Sequence, residues 1–71
     1  MPTPSKGQKY RHYKGNEYIV VCCATDEATG TPVVVYQDLH DKEKIWVRAT
    51  AIFTEEVDVG GVKVPRFSEI K

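Results

Sequence analysis

Residues 18–24 of this chain read "YIVVCCA", a run of seven apolar residues. This run constrains the fold more than any other feature of the sequence. It is far too short for a membrane-spanning helix, which needs about 20 residues, but it has the length of a strand. A strand with one exposed face alternates polar and apolar residues, whereas a strand covered on both faces is apolar throughout. The run therefore predicts a central strand whose two faces are both at least partly covered.

Shorter runs of the same kind follow it along the chain. Residues 33–36, "VVVY", and residues 45–48, "IWVR", are rich in β-branched and aromatic side chains, and polar turn sequences separate the runs about every ten residues. This spacing is typical of an antiparallel meander. The segment after residue 53 predicts a last hairpin with Gly60 and Gly61 at its tip. Pro65 cannot donate to a ladder, so the last strand is expected to lie at an edge or to stop there.

We therefore predict an all-β fold, either a small SH3-like barrel or a strongly curled antiparallel sheet of five to six strands. At most one short helical turn is expected, in "ATAIF", with Thr50 as its cap. Residues 1–9 contain two prolines and no hydrophobic pattern, which predicts a flexible N-terminal tail. Residues 10–71 are predicted to form a single small β domain. Strand alternation gives this predicted core: Ile19, Val21, Val33, Val35, Ile45, Val47 and Phe53.

The second apolar face of the central strands needs a cover. The chain itself offers three segments for it, namely the tail, the helical turn and the last hairpin. A second copy of the chain is the alternative, because exposed apolar patches of more than a few hundred Å² commonly mark interfaces. The sequence therefore leaves a homodimer open.

Charge and cysteine content narrow the classes of partner and compartment. Ten basic and ten acidic side chains cancel, so bulk charge indicates neither a nucleic-acid partner nor a membrane surface. Cys22 and Cys23 are neighbours, and a strand sends neighbouring side chains to opposite faces, which places the two thiols poorly for pairing. The polar N-terminus carries no signal-peptide pattern. Together these features favour a reducing cytoplasm.

Several polar and aromatic residues are expected on rigid strands, where they would be well placed to bind a ligand. Alternation sends Trp46 and Arg48 to one face of their strand. Such a ring-and-cation face stacks on nucleic-acid bases, at roughly 1–3 kcal/mol per base, or grips proline-rich or methylated peptides. The alternative is structural, with Trp46 in the core and the arginines paired with surface acids. The candidate ligand-binding residues are Arg11, His12, Lys14, Tyr36, Trp46, Arg48 and Arg66.

The sequence predicts no catalytic residue, no metal ligand and no cofactor. His12 has only His40 as a histidine partner, and no nucleophile elbow or metal-ligand spacing is present. Glu55 and Glu56 are adjacent, so a strand would point them to opposite faces rather than pair them for acid–base work. Enzyme pockets usually exceed roughly 300 Å³, and a 71-residue chain has little room for a deep one.

Five blocks of the sequence occur in an order that resembles a known family. They are "YRHYKGNEYIVV", "VVVYQ", "WVR", "IF" and "VPRF", and they resemble DUF1653, a family of small bacterial proteins of unknown function, over about residues 10–70. Ala49 and Ile52 stand where the family usually has proline and methionine, and residues 25–28 replace a common His-Ser-Glu-Thr stretch. The resemblance implies a stand-alone bacterial cytoplasmic domain, and it implies no activity.

These observations lead to one main hypothesis about function and two alternatives. The first is a non-catalytic protein- or peptide-interaction module. The second is a nucleic-acid-binding small barrel, which would bind with strong salt dependence because phosphate contacts release counterions. The third is an accessory subunit of an enzyme. The partner itself is not predicted beyond these classes.

Overall fold

The computed structural model describes residues 3–71 of the chain. In this part of the chain seven strands and one short helix follow one another in this order: β1 (Lys9–His12), β2 (Glu17–Thr25), β3 (Pro32–Asp38), β4 (Ile45–Ala49), α1 (Thr50–Phe53), β5 (Glu56–Val59), β6 (Val62–Pro65) and β7 (Phe67–Ile70). The all-β prediction is confirmed. The strand count is higher than predicted because the expected last strand breaks at Arg66 into β6 and β7.

The strands form two antiparallel sheets. Five of them pair in the order β4-β3-β2-β1-β7, and β5 and β6 form a separate hairpin. The consecutive pairing of β1 to β4 is the predicted meander. Gly60 and Gly61 form the tip of the β5–β6 hairpin with φ of 60° and 85°, a left-handed backbone that favours glycine. Strand β6 ends at Pro65, as the missing N–H predicted.

The five-stranded sheet is strongly curled. Phe67 on β7 and Tyr36 on β3 have ring centroids only 5.5 Å apart. Three strand spacings of about 4.8 Å separate these strands, so a flat sheet would hold them roughly 14 Å apart. In the described part of the chain, strands β4 and β7 are each paired on one side only, so the sheet does not close into a barrel. The curled sheet is therefore the form of the prediction that the structure confirms.

An aromatic core fills the concave face of this sheet. Phe53 is 1% exposed and stacks on Phe67 with 4.0 Å between ring centroids and 4° between the planes. Because Phe53 lies on α1, the short helix lays it over the concave face, and its predicted place in the core is confirmed. The full cluster is Tyr10, Val20, Val34, Tyr36, Phe53 and Phe67, with Tyr18 packed against it.

The cap predicted for α1 is wrong. Thr50 is the first helical residue, and Ala49 precedes the helix without any side-chain cap. The Thr50 carbonyl instead accepts the amide and the hydroxyl of Thr54, at 3.0 and 2.9 Å. Thr50 therefore contributes an acceptor to the end of the helix rather than a cap to its start.

The core prediction chose the wrong face of β4. Ile45 and Val47 are 55% and 65% exposed, so neither belongs to the core. In the register of the sheet, Trp46 pairs with the buried Tyr36 and Arg48 pairs with a buried valine of β3. The apolar residues of β4 consequently lie on the convex face, and its ring and its cation lie on the concave face.

Strand β2 contains a β-bulge, and the core prediction chose the wrong face of the strand before it. The register shifts between Val20 and Cys22, so Val21 is the extra residue and the alternation of faces changes there. Val20 is buried, whereas Val21 is 36% exposed. Ile19 and Val35, also predicted for the core, are only half-buried. Of the predicted set, Val33 and Phe53 are buried, and Val33 lies outside the aromatic cluster.

The N-terminal segment packs against the sheet. The amide of Gly7 donates to the Val20 carbonyl at 2.9 Å, and Pro4 is buried. The Pro4 carbonyl accepts the Cys23 thiol at 2.9 Å, and both Cys22 and Cys23 are unpaired, as predicted. Residues 1 and 2 of the predicted tail lie outside the described residues, and the flexibility of the tail stays a prediction. No helix in residues 3–71 has the length and hydropathy needed to cross a membrane.

Candidate ligand-binding cleft

A cleft of about 340 Å³ opens on the concave face, beside the turn that joins β1 to β2. Five strands and the turn contribute to it because the curl of the sheet brings β7 toward β3 and β4. We call it the cationic cleft and define it by its lining residues: His12, Lys14, Asn16, Tyr18, Tyr36, Trp46, Arg48 and Phe67.

Aromatic rings form the floor of the cationic cleft. Tyr18 meets Tyr36 edge to face at 5.2 Å, and His12 meets Phe67 edge to face at 5.0 Å. Edge-to-face contacts of this kind add about 0.5–1.5 kcal/mol each to simple burial, so they hold the floor in place. Trp46 lies at the β4 edge and is 47% exposed. It therefore presents an open ring to a ligand.

Arg48 is fixed against this floor. Its Nε donates a hydrogen bond to the Tyr36 hydroxyl at 3.3 Å, and its guanidinium carbon lies 6.0 Å from the centroid of the Phe67 ring. The ring face attracts the cation, and the hydrogen bond orients it. Arg48 therefore presents its charge from a held position.

His12 lies among positively charged side chains. Its pKa lies below the ordinary value of about 6.5, first because burial disfavours the charged form and then because Arg48, Arg66 and Lys14 repel a further proton. The Lys14 amide donates to Nδ1 at 3.1 Å, which leaves the ring proton on Nε2. Protonation of His12 would break that bond as well as add charge.

The lining residues include two cations and no carboxylate. This is a local excess, because the whole chain carries as many acids as bases. Glu17 lies near the cleft in sequence, but its carboxylate is paired with Arg11 at 2.8 Å and with His40 at 3.5 Å. The hydrogen bonds from these two side chains lower the pKa of Glu17. The cleft consequently favours an anionic ligand.

The structure brings together five of the seven residues that the sequence singled out. They are His12, Lys14, Tyr36, Trp46 and Arg48. The shared face predicted for Trp46 and Arg48 is confirmed by their pairing with Tyr36 and Val34 on β3.

Arg11 and Arg66 do not line the cationic cleft. Arg11 neighbours His12 on β1, so its side chain points to the convex face, where it pairs with Glu17. Arg66 lies between β6 and β7 with its Nη2 4.0 Å from Glu55, and its buried Nε has no hydrogen-bond partner among residues 3–71. Its charge still reaches His12, whose pKa it lowers.

Sequence reasoning missed three lining residues, Asn16, Tyr18 and Phe67. Tyr18 precedes the buried Val20 by two residues, so strand alternation alone would have placed it on the same face. Phe67 pairs with His12 across β1 and β7, and that pairing joins distant parts of the chain. No local pattern in the sequence predicts this pairing.

A second groove, of about 490 Å³, lies between β1, β7 and the β5–β6 hairpin. Its lining includes Val59, Val64 and Arg11, whose charge is already paired. Its chemistry is therefore less suited to a charged ligand than that of the cationic cleft. Residues 3–71 contain no group of three or more side chains placed to hold a metal ion.

The fold and the cleft together define a class, a small all-β domain with a curled sheet and a cleft of rings and cations. A family model described as "Protein of unknown function (DUF1653)" matches residues 8–69, and the chain belongs to this family. The chain is similar to a crystal structure of a DUF1653 protein from Bordetella bronchiseptica, with 32% sequence identity and a TM-score of 0.79 over 99% of this chain and 87% of that chain. No curated protein matches it.

Proposed function

We propose that this domain is a non-catalytic binding module whose cationic cleft receives an acidic peptide segment. The observation that carries the proposal is the lining itself, which combines rings and cations with no carboxylate. A carboxylate on the ligand would accept hydrogen bonds from the guanidinium of Arg48 and from Lys14, and charge-assisted bonds are worth about 1.5–3 kcal/mol. An apolar or aromatic side chain beside that carboxylate would lie on Trp46.

The turn between β3 and β4 leads directly into the strand that holds Trp46, and its acids Asp41 and Glu43 are balanced by Lys42 and Lys44. This turn therefore adds no net charge beside the cleft, and the choice of a peptide ligand rests on the lining alone. Single-stranded nucleic acid is the second candidate, because an open indole beside a guanidinium is also suited to stacking on a base.

The state of His12 supports binding rather than catalysis. A general base works best with a pKa near the operating pH and usually has a carboxylate to orient it. Within residues 3–71, the hydrogen bond that His12 accepts comes from the Lys14 amide, and its pKa is lowered first by burial and then by three positive charges. The unpaired thiols of Cys22 and Cys23 fit our proposal that the protein works in the bacterial cytoplasm.

Trp46 is the only tryptophan of the chain, so its fluorescence reports directly on the cationic cleft. We would titrate the protein with an unstructured peptide that alternates Glu and Phe, with the matched Lys and Phe peptide, and with single-stranded oligouridylate. The expected result is a saturable change in Trp46 emission with the Glu peptide alone. Arg48→Gln should weaken this binding about tenfold or more, since it removes a charge-assisted hydrogen bond.

Arg11→Gln is the matched control, because it removes the same charge from the convex face. Equal weakening by both substitutions would show that only net charge matters, and it would contradict the proposed site. No response to the Glu peptide would contradict the peptide ligand. A response to oligouridylate that weakens steeply with salt would contradict the peptide ligand and identify single-stranded nucleic acid as the ligand of the cleft.

A further inference from the structure

Among residues 3–71, strand β4 is an edge of the sheet with free backbone groups. The Asp38 amide donates to the Lys44 carbonyl at 2.9 Å, one position beyond the pairing of Gln37 with Ile45. Hydrogen-bonded and non-hydrogen-bonded pairs alternate in an antiparallel ladder, so residues 46 and 48 bond to β3. The N–H and C=O groups of residues 45, 47 and 49 consequently point away from the sheet.

This edge carries few of the features that usually prevent strands of separate chains from pairing. Strand β4 contains no proline and no bulge, and its one charged residue, Arg48, is turned into the cationic cleft. Ile45, Trp46 and Val47 are 55%, 47% and 65% exposed. Three consecutive exposed apolar residues on an open edge present both a backbone template and a hydrophobic surface.

We propose that β4 pairs antiparallel with β4 of a second copy of this chain, about a two-fold axis at Val47. The two five-stranded sheets would then join into one sheet of ten strands. On the convex face Val47 would meet its own copy and Ile45 would meet Ala49, and these residues adjoin the half-buried Val35. Pairing of the free groups of residues 45, 47 and 49 would add backbone hydrogen bonds across the axis.

The charges on the strand select this register. Symmetric pairing that uses the free backbone groups must centre on residue 46, 47 or 48. Directly opposed like charges destabilise a sheet. Centring on residue 46 would set Lys44 of each copy opposite Arg48 of the other. Centring on residue 48 would set the two Arg48 residues opposite each other. Centring on Val47 avoids both and sets Arg48 opposite Trp46, where a cation–π contact is available.

The inferred dimer changes the binding site. A two-fold axis perpendicular to the sheet keeps the concave faces on the same side, so the two cationic clefts would adjoin. Arg48 of the second copy would lie beside Trp46 and supply a further cation to that cleft. This inference rests on the β4 edge and stands whether or not the cleft binds a peptide.

Sedimentation equilibrium of matched variants tests the interface. Wild-type protein should form a dimer as concentration rises, and Val47→Lys should be monomeric because it sets two lysines face to face across the axis. Val62→Lys is the matched control, since Val62 is also a valine on a strand and is 62% exposed. The control should dimerise like the wild type. A wild-type protein that stays monomeric up to millimolar concentration overturns the proposal.

Cysteine crosslinking tests the register. In a Cys22→Ser, Cys23→Ser background, Val47→Cys should form an intermolecular disulfide under mild oxidation, because directly paired residues have Cα atoms about 5.5 Å apart. Trp46→Cys should not, because in this register residue 46 faces residue 48. Crosslinking of Trp46→Cys in preference to Val47→Cys would overturn the register. It would also overturn the placement of the second copy's Arg48 beside Trp46. Crosslinking of neither variant would overturn the pairing itself.

Discussion

Replacement of Phe53 by alanine should remove a large part of the stability of this domain. Phe53 is 1% exposed, stacks on Phe67 at 4.0 Å and meets Tyr10 and Tyr36 edge to face at 5.2 and 5.4 Å. Truncating a buried phenylalanine costs roughly 3–5 kcal/mol, and the loss of three ring contacts favours the upper half of that range. We therefore expect a loss of about 4 kcal/mol in the free energy of unfolding.

This loss is large compared with the total. A 71-residue domain at 0.05–0.15 kcal/mol per residue has roughly 4–11 kcal/mol of stability. Urea unfolding followed by circular dichroism would measure the change. Ile52→Ala is the control, because Ile52 precedes Phe53 on the same helix and its side chain is 41% exposed. The control should lose less than about 1.5 kcal/mol. If Phe53→Ala lost no more than the control, α1 would not be holding the aromatic core in place.

Two further predictions concern the face of the sheet and the charge state of the cleft. At concentrations where the chain is monomeric, Val34→Ala should lower the free energy of unfolding by about 2 kcal/mol and Val47→Ala by less than about 0.5 kcal/mol, because only Val34 is buried within one copy. Equal urea midpoints would contradict the assigned faces. His12 has a lower pKa in the folded than in the unfolded chain. Its contribution to the free energy of unfolding is therefore complete above about pH 6.5 and is lost as the pH falls through the folded pKa. His12→Gln should therefore reduce the fall in stability between pH 7.5 and 5, and a fall equal to that of His40→Gln would refute this.

Local patterns in the sequence were enough to predict the strands. The run at residues 18–24 lies within the longest strand, and Gly60 and Gly61 form the predicted hairpin tip. Phe53 was also predicted correctly as a core residue, because a short apolar segment directly after the last central strand can bury its side chains only against the sheet. In each case, neighbouring residues along the chain carry the information.

The assignment of faces needs information that the sequence does not hold locally. In β4, alternation separated Ile45 and Val47 from Trp46 and Arg48, and the two aliphatic residues were predicted for the core because a face that carries an arginine is usually exposed. In the structure the arginine and the ring lie on the concave face instead. The bulge at Val21 then reversed the alternation within β2. For the candidate site, the grouping of Trp46 with Arg48 needed only the period of a strand, whereas Phe67 joined them through the curl of the sheet.

The two proposals together predict that ligand and dimer strengthen each other. In the inferred register the two Arg48 residues lie diagonally across the axis, with Cα atoms roughly 7–8 Å apart. No carboxylate lines the cationic cleft to offset their repulsion. An acidic peptide bound between them would supply that negative charge, so it should raise the association constant of the dimer. Linkage requires that dimerisation raise the affinity for the peptide by the same factor. Sedimentation with and without the peptide that alternates Glu and Phe measures the change in the association constant of the dimer. Trp46 titrations of wild type and Val47→Lys measure the change in affinity for the peptide.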